Sequence, residues 1–148
     1  MRKIERCDAE KYPVLVEIWE RAVRATHDFL EEKDIQEIKA ALIPEYFPQV
    51  EVFVLEDDRC GAVGFIGILG GKIEMLFVDS ACHGQGFGTE LIEFAINNGA
   101  TAVDVNEQNP SAVRFYMNRG FCVVSRDETD DAGRPFPILH MDLGGFAL

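Results

Sequence analysis

The sequence has few cysteines, and their spacing excludes the common cysteine-based sites. Its 148 residues contain only four, Cys7, Cys60, Cys82 and Cys122, with no C-x-x-C pair. None has further Cys or His residues at metal-ligand spacing, so we expect free thiols and no metal site. A metal or thiol centre built on Cys82 and its neighbour His83 is disfavoured, because it lacks a third ligand at a useful distance along the chain.

Positive charge is also scarce. Fourteen Lys and Arg residues stand against 26 Asp and Glu residues, which gives a formal net charge of −12. A field of this sign repels polyanions, so the composition predicts no nucleic-acid partner. The same field attracts cationic molecules such as amines, although an acidic surface also serves solubility alone.

Long hydrophobic runs are absent from the sequence. The most apolar stretch, residues 61–71, is too short to cross a bilayer, and Arg2, Lys3, Glu5 and Arg6 make the first residues polar. We therefore expect no membrane partner and a cytoplasmic location. With 47% hydrophobic and 27% charged residues, the composition is that of an ordinary folded protein. Its length favours one compact domain over residues 1–148.

Hydrophobic periodicity divides the chain into helical and strand-like segments. Pro13 fits the first turn of a helix, and Asn109 followed by Pro110 is typical of an N-cap and first helical position. The predicted elements in chain order are a strand at Ile4, helices at 15–23 and 31–46, strands at 50–55, 62–69 and 72–78, a helix at 86–98, a strand at 102–105, a helix at 109–120, and strands at 121–129 and 136–143.

This order, βααβββαβαββ, predicts an α+β fold with one mixed central sheet flanked by helices. The three strands at 50–78 are separated by turn signals and form an antiparallel meander. The helix at 86–98 can then join two neighbouring parallel strands.

The densest functional signal is a strand that leads from Val78 through Gly84, Gly86 and Gly88 into a helix. Such a turn exposes backbone N–H groups at a helix N-terminus, where the partial positive charge suits a pyrophosphate. A dinucleotide fingerprint starting at Gly84 would need glycine where Thr89 stands, and no Gly-Lys-Ser/Thr sequence is present, so neither common nucleotide motif fits. A purely structural strand-to-helix turn remains the alternative.

Two motifs resemble the GNAT family of N-acetyltransferases. The segment His83-x-x-Gly86-x-Gly88 is similar to that family's Gln/Arg-x-x-Gly-x-Gly/Ala cofactor loop, with His83 in place of the usual Gln or Arg. Asn109, Ala112 and Tyr116 match its second signature. Residues 25–30, 105–109 and 130–137 resemble the bacterial YjaB-type branch, so the resemblance covers nearly the whole chain.

The resemblance implies central parallel strands that splay apart and direct transfer of an acetyl group from acetyl-CoA to an amine. Free backbone groups on the strand before the glycine loop would then bind the pantetheine arm. The residues that the resemblance assigns to acetyl-CoA are Leu76, Phe77, Val78, His83, Gly84, Gln85, Gly86, Phe87, Gly88, Thr89, Asn109, Ala112 and Phe115.

Tyr116 and Glu74 are the candidate catalytic residues. The resemblance assigns Tyr116 to protonation of the leaving thiolate, and its alternative role is packing beside Phe115 on the core face of the helix. A protonated amine must also lose a proton before it attacks. Glu74 is the candidate acceptor of that proton, or a solvated residue on a strand where Lys72, Glu74, Leu76 and Val78 share one face.

The expected acceptor is a primary amine, either a small molecule or a protein lysine. By analogy with the family, Trp19, His27 and Phe29 would border the acceptor site; the alternatives are a core position for Trp19 and a helix-end position for His27. The main alternative is a non-catalytic module that binds coenzyme A as a sensor. The protein is expected to be a monomer or a homodimer.

Overall fold

The computed structural model describes residues 2–82 and 84–144, so the predicted cofactor residue His83 lies outside the described residues. Within these ranges, one seven-stranded sheet is flanked by four α-helices. The strands are β1 (Arg2–Arg6), β2 (Glu51–Asp57), β3 (Gly61–Leu69), β4 (Lys72–Val78), β5 (Ala102–Asn106), β6 (Phe121–Asp127) and β7 (Ile138–Leu143). The helices are α1 (Tyr12–Thr26), α2 (Glu32–Ala41), α3 (Phe87–Asn97) and α4 (Pro110–Met117).

The element order confirms the predicted βααβββαβαββ arrangement and the mixed sheet. The strands lie in the order β1-β2-β3-β4-β5-β7-β6, and all neighbours are antiparallel except β4 and β5, which are parallel. None of the helices in the described ranges has the length and apolar character needed to span a membrane.

Helix α2 is shorter than the predicted segment 31–46. It begins with a reciprocal capping box between Glu31 and Asp34, in which each side chain satisfies a backbone amide of the other. It ends at Ala41, and residues 42–46 form a π-helical turn that contains Pro44. Proline has no amide to continue the helical hydrogen-bond series, which accounts for the early end.

The central strands β4 and β5 part soon after they meet. Their pairing consists of Lys72 opposite Ala102 and Ile73 opposite Val103. Beyond these two pairs each strand continues without the other, which confirms the predicted splay. A gap therefore opens in the middle of the sheet.

A β-bulge at Glu74 changes the predicted alternation of side chains along β4. Ile73 lies opposite Ile68 and Met75 lies opposite Gly67, so Glu74 is an extra residue in β4. The prediction that Lys72, Glu74, Leu76 and Val78 share one face is wrong, because an inserted residue reverses the alternation beyond it.

Two hydrophobic clusters cover the two faces of the sheet. Ile73, Leu76 and Val78 pack with residues of α3 in the first cluster. Met75 and Phe77 point to the opposite face and pack with residues of α1 and α2 in the second. β4 thus contributes to both cores while one of its edges is open.

We predict that Gly64→Ala destabilises the protein. A Cβ atom at Gly64 would lie 2.9 Å from the backbone oxygen of Phe77 and 3.1 Å from Leu91 Cδ1. Since a backbone atom cannot move aside cheaply, we expect a loss of about 1–3 kcal/mol of unfolding free energy, measured by urea denaturation. Gly67→Ala is the matched control: its Cβ would also meet an atom at 2.9 Å, but that atom is Cγ2 of Val50, which can move. Equal losses in the two variants would contradict the explanation.

Candidate active site

A cleft of about 470 Å³ occupies the gap between β4 and β5. Its walls come from both strands, the end of α1, the N-terminus of α3 and one side of α4. The predicted site residues that line it are Glu74, Leu76, Phe77, Val78, Gly84, Gly86, Phe87, Gly88, Thr89, Asn109, Ala112, Phe115, Tyr116 and His27.

The amides of Leu76 and Val78 point into this gap. The Asp79 amide donates to the Val63 carbonyl of β3 at 2.8 Å. Because successive amides of a strand point to opposite edges, the Phe77 amide also faces β3, while those of Leu76 and Val78 face the side from which β5 has diverged. The expectation that the Phe77 backbone is free is therefore wrong, although its side chain lines the cleft.

The N-terminus of α3 forms the second wall. Gly86 is its N-cap in a left-handed conformation (φ 81°), which glycine adopts without strain. Gly86 has no side chain to cap the helix, so the first amides, those of Phe87, Gly88 and Thr89, have no partner within it. Unpaired amides and the helix dipole together suit a bound phosphate group.

Helix α4 starts at the cleft as predicted. Asn109 is its N-cap, and its side-chain oxygen accepts a hydrogen bond from the Ala112 amide at 3.3 Å. Pro110 occupies the first helical position. The cap fixes the start of the helix and so sets the position of Tyr116, two turns further on.

Tyr116 lies at the inner end of the cleft with 6% of its surface exposed. Its ring packs edge-on against Phe115 and Phe121, with centroids 5.2 Å and 5.8 Å away. Burial raises the pKa of its hydroxyl well above the ordinary value. The phenol is therefore protonated at neutral pH and available as a hydrogen-bond donor.

Charged side chains line the opposite part of the cleft, where β4 and β5 begin to part. Glu74 and Asp104 are lining residues, and the Lys72 ammonium lies 2.5 Å from Asp104 Oδ2 and 3.7 Å from Glu74 Oε2. The sequence prediction missed Asp104. Its available signal was weak: a single acidic residue between Val103 and Val105 in a short apolar strand.

His140 on β7 joins this group of charges. Its Nδ1 lies 2.6 Å from Asp104 Oδ1, and its Nε2 lies 2.7 Å from Asp127 Oδ2. Hydrogen bonds to Asp127 and then to Asp104 raise the pKa of the imidazole above its usual 6.5. A protonated ring can donate to both carboxylates at once.

The residues predicted to border the acceptor site do not all reach the cleft. His27 lines it, and burial lowers the pKa of its imidazole. Phe29 instead lines a neighbouring cavity, where its ring meets Phe136 at 5.5 Å. Trp19 is 3% exposed and packs in the core beneath the sheet, because the helical spacing of α1 turns it inward.

Gln85, one of the residues predicted to bind acetyl-CoA, is exposed and lies outside the cleft lining.

An open cleft between splayed parallel strands, closed at one end by a glycine-capped helix, defines an acetyltransferase fold. Residues 19–143 match the model of the acetyltransferase (GNAT) domain. The peptidyl-lysine N-acetyltransferase YjaB of Salmonella typhimurium is 38% identical over 142 residues, which cover 95% of this chain and 97% of that protein.

Solved structures agree with this match. The solution structure of apo-form YjaB from Escherichia coli superposes with a TM-score of 0.89 at 36% identity, covering 99% of each chain. PaiA N-acetyltransferase from Thermoplasma acidophilum in complex with coenzyme A shares the fold, with a TM-score of 0.69 at 18% identity, covering 96% of this chain and 99% of that one. The chain belongs to the GNAT family of acetyltransferases.

We predict that His140 titrates above its ordinary pKa of 6.5 in the folded protein, and that Asp127→Asn lowers this pKa. Since the folded-state pKa is raised, protonation of His140 stabilises the folded protein. This contribution to the free energy of unfolding is fully present below pH 6.5 and is lost as pH rises through the folded-state pKa. Proton NMR of the imidazole ring across pH 5 to 9 measures the shift. A wild-type pKa at or below 6.5 would contradict the charged arrangement.

Proposed function

We propose that this protein transfers the acetyl group of acetyl-CoA directly to the side-chain amine of a protein lysine. The observation that carries the proposal is the gap between β4 and β5, with the Leu76 and Val78 amides on one side and Tyr116 at its inner end. The relatives at 38% identity are named peptidyl-lysine N-acetyltransferases, which supports lysine as the acceptor.

The cleft residues fit acetyl-CoA. The Leu76 and Val78 amides would pair with the pantetheine arm as a neighbouring strand does, and the first amides of α3 would hold the pyrophosphate. When bound, acetyl-CoA supplies an activated acetyl group. A backbone amide such as that of Leu76 would donate to the acetyl oxygen as its negative charge grows, which contributes about 3 kcal/mol to barrier lowering.

Tyr116 would stabilise the leaving thiolate. A thiol has a pKa of about 8.5 in water, so the thiolate gains from a nearby donor. Burial keeps the Tyr116 hydroxyl protonated, and no described residue takes a hydrogen bond from it, so the proton is free for this use. Because a raised pKa makes complete proton transfer harder, a strong hydrogen bond is its main contribution.

Glu74 would accept the proton of the acceptor ammonium, directly or through a water molecule. The bulge places this residue at the mouth of the cleft, where the strands part. A lysine amine has a pKa of about 10.4, so nearly all of it is protonated at pH 7 and must lose a proton before attack. Asn109, Ala112 and Phe115 would shape the cofactor side, and His27 the acceptor side.

The remaining sequence predictions are part of the same proposal. We propose one domain over residues 1–148, acting in the cytoplasm as a monomer or homodimer. A small-molecule amine is the alternative acceptor, and an acceptor panel that contains polyamines, amino acids and lysine peptides distinguishes the two. Acetylation of small amines only would contradict the lysine assignment.

We predict that Tyr116→Phe lowers kcat about 100-fold with a lysine peptide, because the leaving thiolate loses its donor. Mass spectrometry of the peptide and release of free thiol from acetyl-CoA measure the rate. Tyr12→Phe is the matched control, since Tyr12 packs against Phe47 away from the cleft. Unchanged turnover in Tyr116→Phe would remove Tyr116 from the mechanism.

We predict that Glu74→Gln lowers kcat/KM about 10-fold to 100-fold at pH 7, since no carboxylate then takes the amine proton. The deficit should shrink as pH approaches the amine pKa of about 10.4, because the neutral amine becomes abundant. A pH profile of both enzymes between pH 6.5 and 9.5 tests this. A deficit that is constant across the range argues against a role in deprotonation.

A further inference from the structure

The side-chain ammonium of Lys72 is bound by two carboxylates at the mouth of the cleft, those of Asp104 and Glu74. Lys72 Nζ lies 2.5 Å from Asp104 Oδ2 and 3.7 Å from Glu74 Oε2. Both carboxylates line the cleft. The pair is thus able to bind a primary ammonium, which is the chemical group that the proposed acceptor presents.

Asp104 is held in place from its other side. Its Oδ1 faces His140 Nδ1 at 2.6 Å, and His140 is fixed in turn by Asp127 at 2.7 Å. One oxygen of Asp104 is therefore committed to the protein, while the second carries the ammonium. His140 acts as a positioning residue for Asp104.

Lys72 is able to leave this position. Its side chain is 35% exposed, and a lysine side chain at the surface rotates freely in water. An ion pair between partly exposed groups is weak, so a second ammonium can replace it at little cost. Asp104, at 26% side-chain exposure, is more enclosed than Lys72 and would remain.

We propose that Asp104 determines specificity for cationic amines by binding the acceptor ammonium in place of Lys72, which acts as an internal competitor. The inference rests on the proposed function, since it concerns how the same cleft receives its acceptor. Glu74, 3.7 Å from the ammonium now in place, is then adjacent to the incoming amine.

The test is the KM for a lysine peptide at saturating acetyl-CoA. Asp104→Asn should raise KM about fivefold, and Lys72→Met should lower it about fivefold, because one removes the anion and the other removes the competing cation. In the double variant, Lys72→Met should have no further effect, since the two changes act on one interaction. Additive effects of the two substitutions would overturn the proposal.

Asp142→Asn is the matched control. Asp142 is an acidic residue of β7, the strand next to the one that carries Asp104; it is exposed, and it forms no ion pair within the described ranges. Its replacement should leave KM unchanged. A rise in KM equal to that of Asp104→Asn would show a general charge effect and overturn the specific role of Asp104. Circular dichroism confirms that each variant is folded.

Measurements of peptide binding distinguish a failure of this inference from a failure of the proposed function. Calorimetry with a lysine peptide and its norleucine counterpart should show tighter binding of the lysine peptide to the wild-type protein, and this preference should fall in Asp104→Asn. If only small amines are acetylated, the lysine acceptor fails, and the same KM comparison with such an amine still tests Asp104. If lysine peptides are acetylated and neither KM nor the binding preference changes in Asp104→Asn, the inference alone fails.

Discussion

The active-site architecture depends on the early parting of two parallel strands. β4 and β5 share two residue pairs, and the extra residue Glu74 follows the second of them directly. Beyond it, Leu76 and Val78 turn their amides toward an edge that has lost its partner strand. An amide without a partner costs free energy when it is shielded from water, so the open edge is stable only because it faces a cleft that a solvent or ligand can enter.

The rest of the sheet keeps this open edge in place. β4 is paired with β3 on its other side at every residue except Glu74, and its apolar side chains pack in both hydrophobic clusters. Gly64 lets the backbone of β4 approach β3 closely, since a Cβ atom there would lie within 2.9 Å of the Phe77 oxygen. β4 therefore cannot shift toward β5 to close the gap without losing contacts on both faces.

Local sequence signals were sufficient to predict most of the fold. The Asn109-Pro110 cap, the glycine loop before α3 and the strand periodicities each depend on residues within one turn or strand, so they could be read without knowledge of tertiary contacts. The bulge at Glu74 could not, because it is defined by the register against β3. The pairing of Asp104 with His140 joins residues 36 positions apart, and the single acidic residue in a short apolar strand was too weak a signal to predict it. The prediction that Trp19 borders the acceptor site was wrong, because a large aromatic residue on a helix is equally typical of a core and of a binding site.

The charges of the molecule act at two ranges. A net charge of −12 attracts cations from a distance and affects all of them alike. At the mouth of the cleft, however, the Lys72 ammonium already offsets part of the negative charge of Asp104 and Glu74, so a cation that arrives there meets a weaker local field. It gains a partner only if its geometry matches that of the ammonium it displaces, because a hydrogen-bonded ion pair depends on position as well as charge. Attraction over long distances thus gathers amines in general, and the local exchange at Asp104 selects among them.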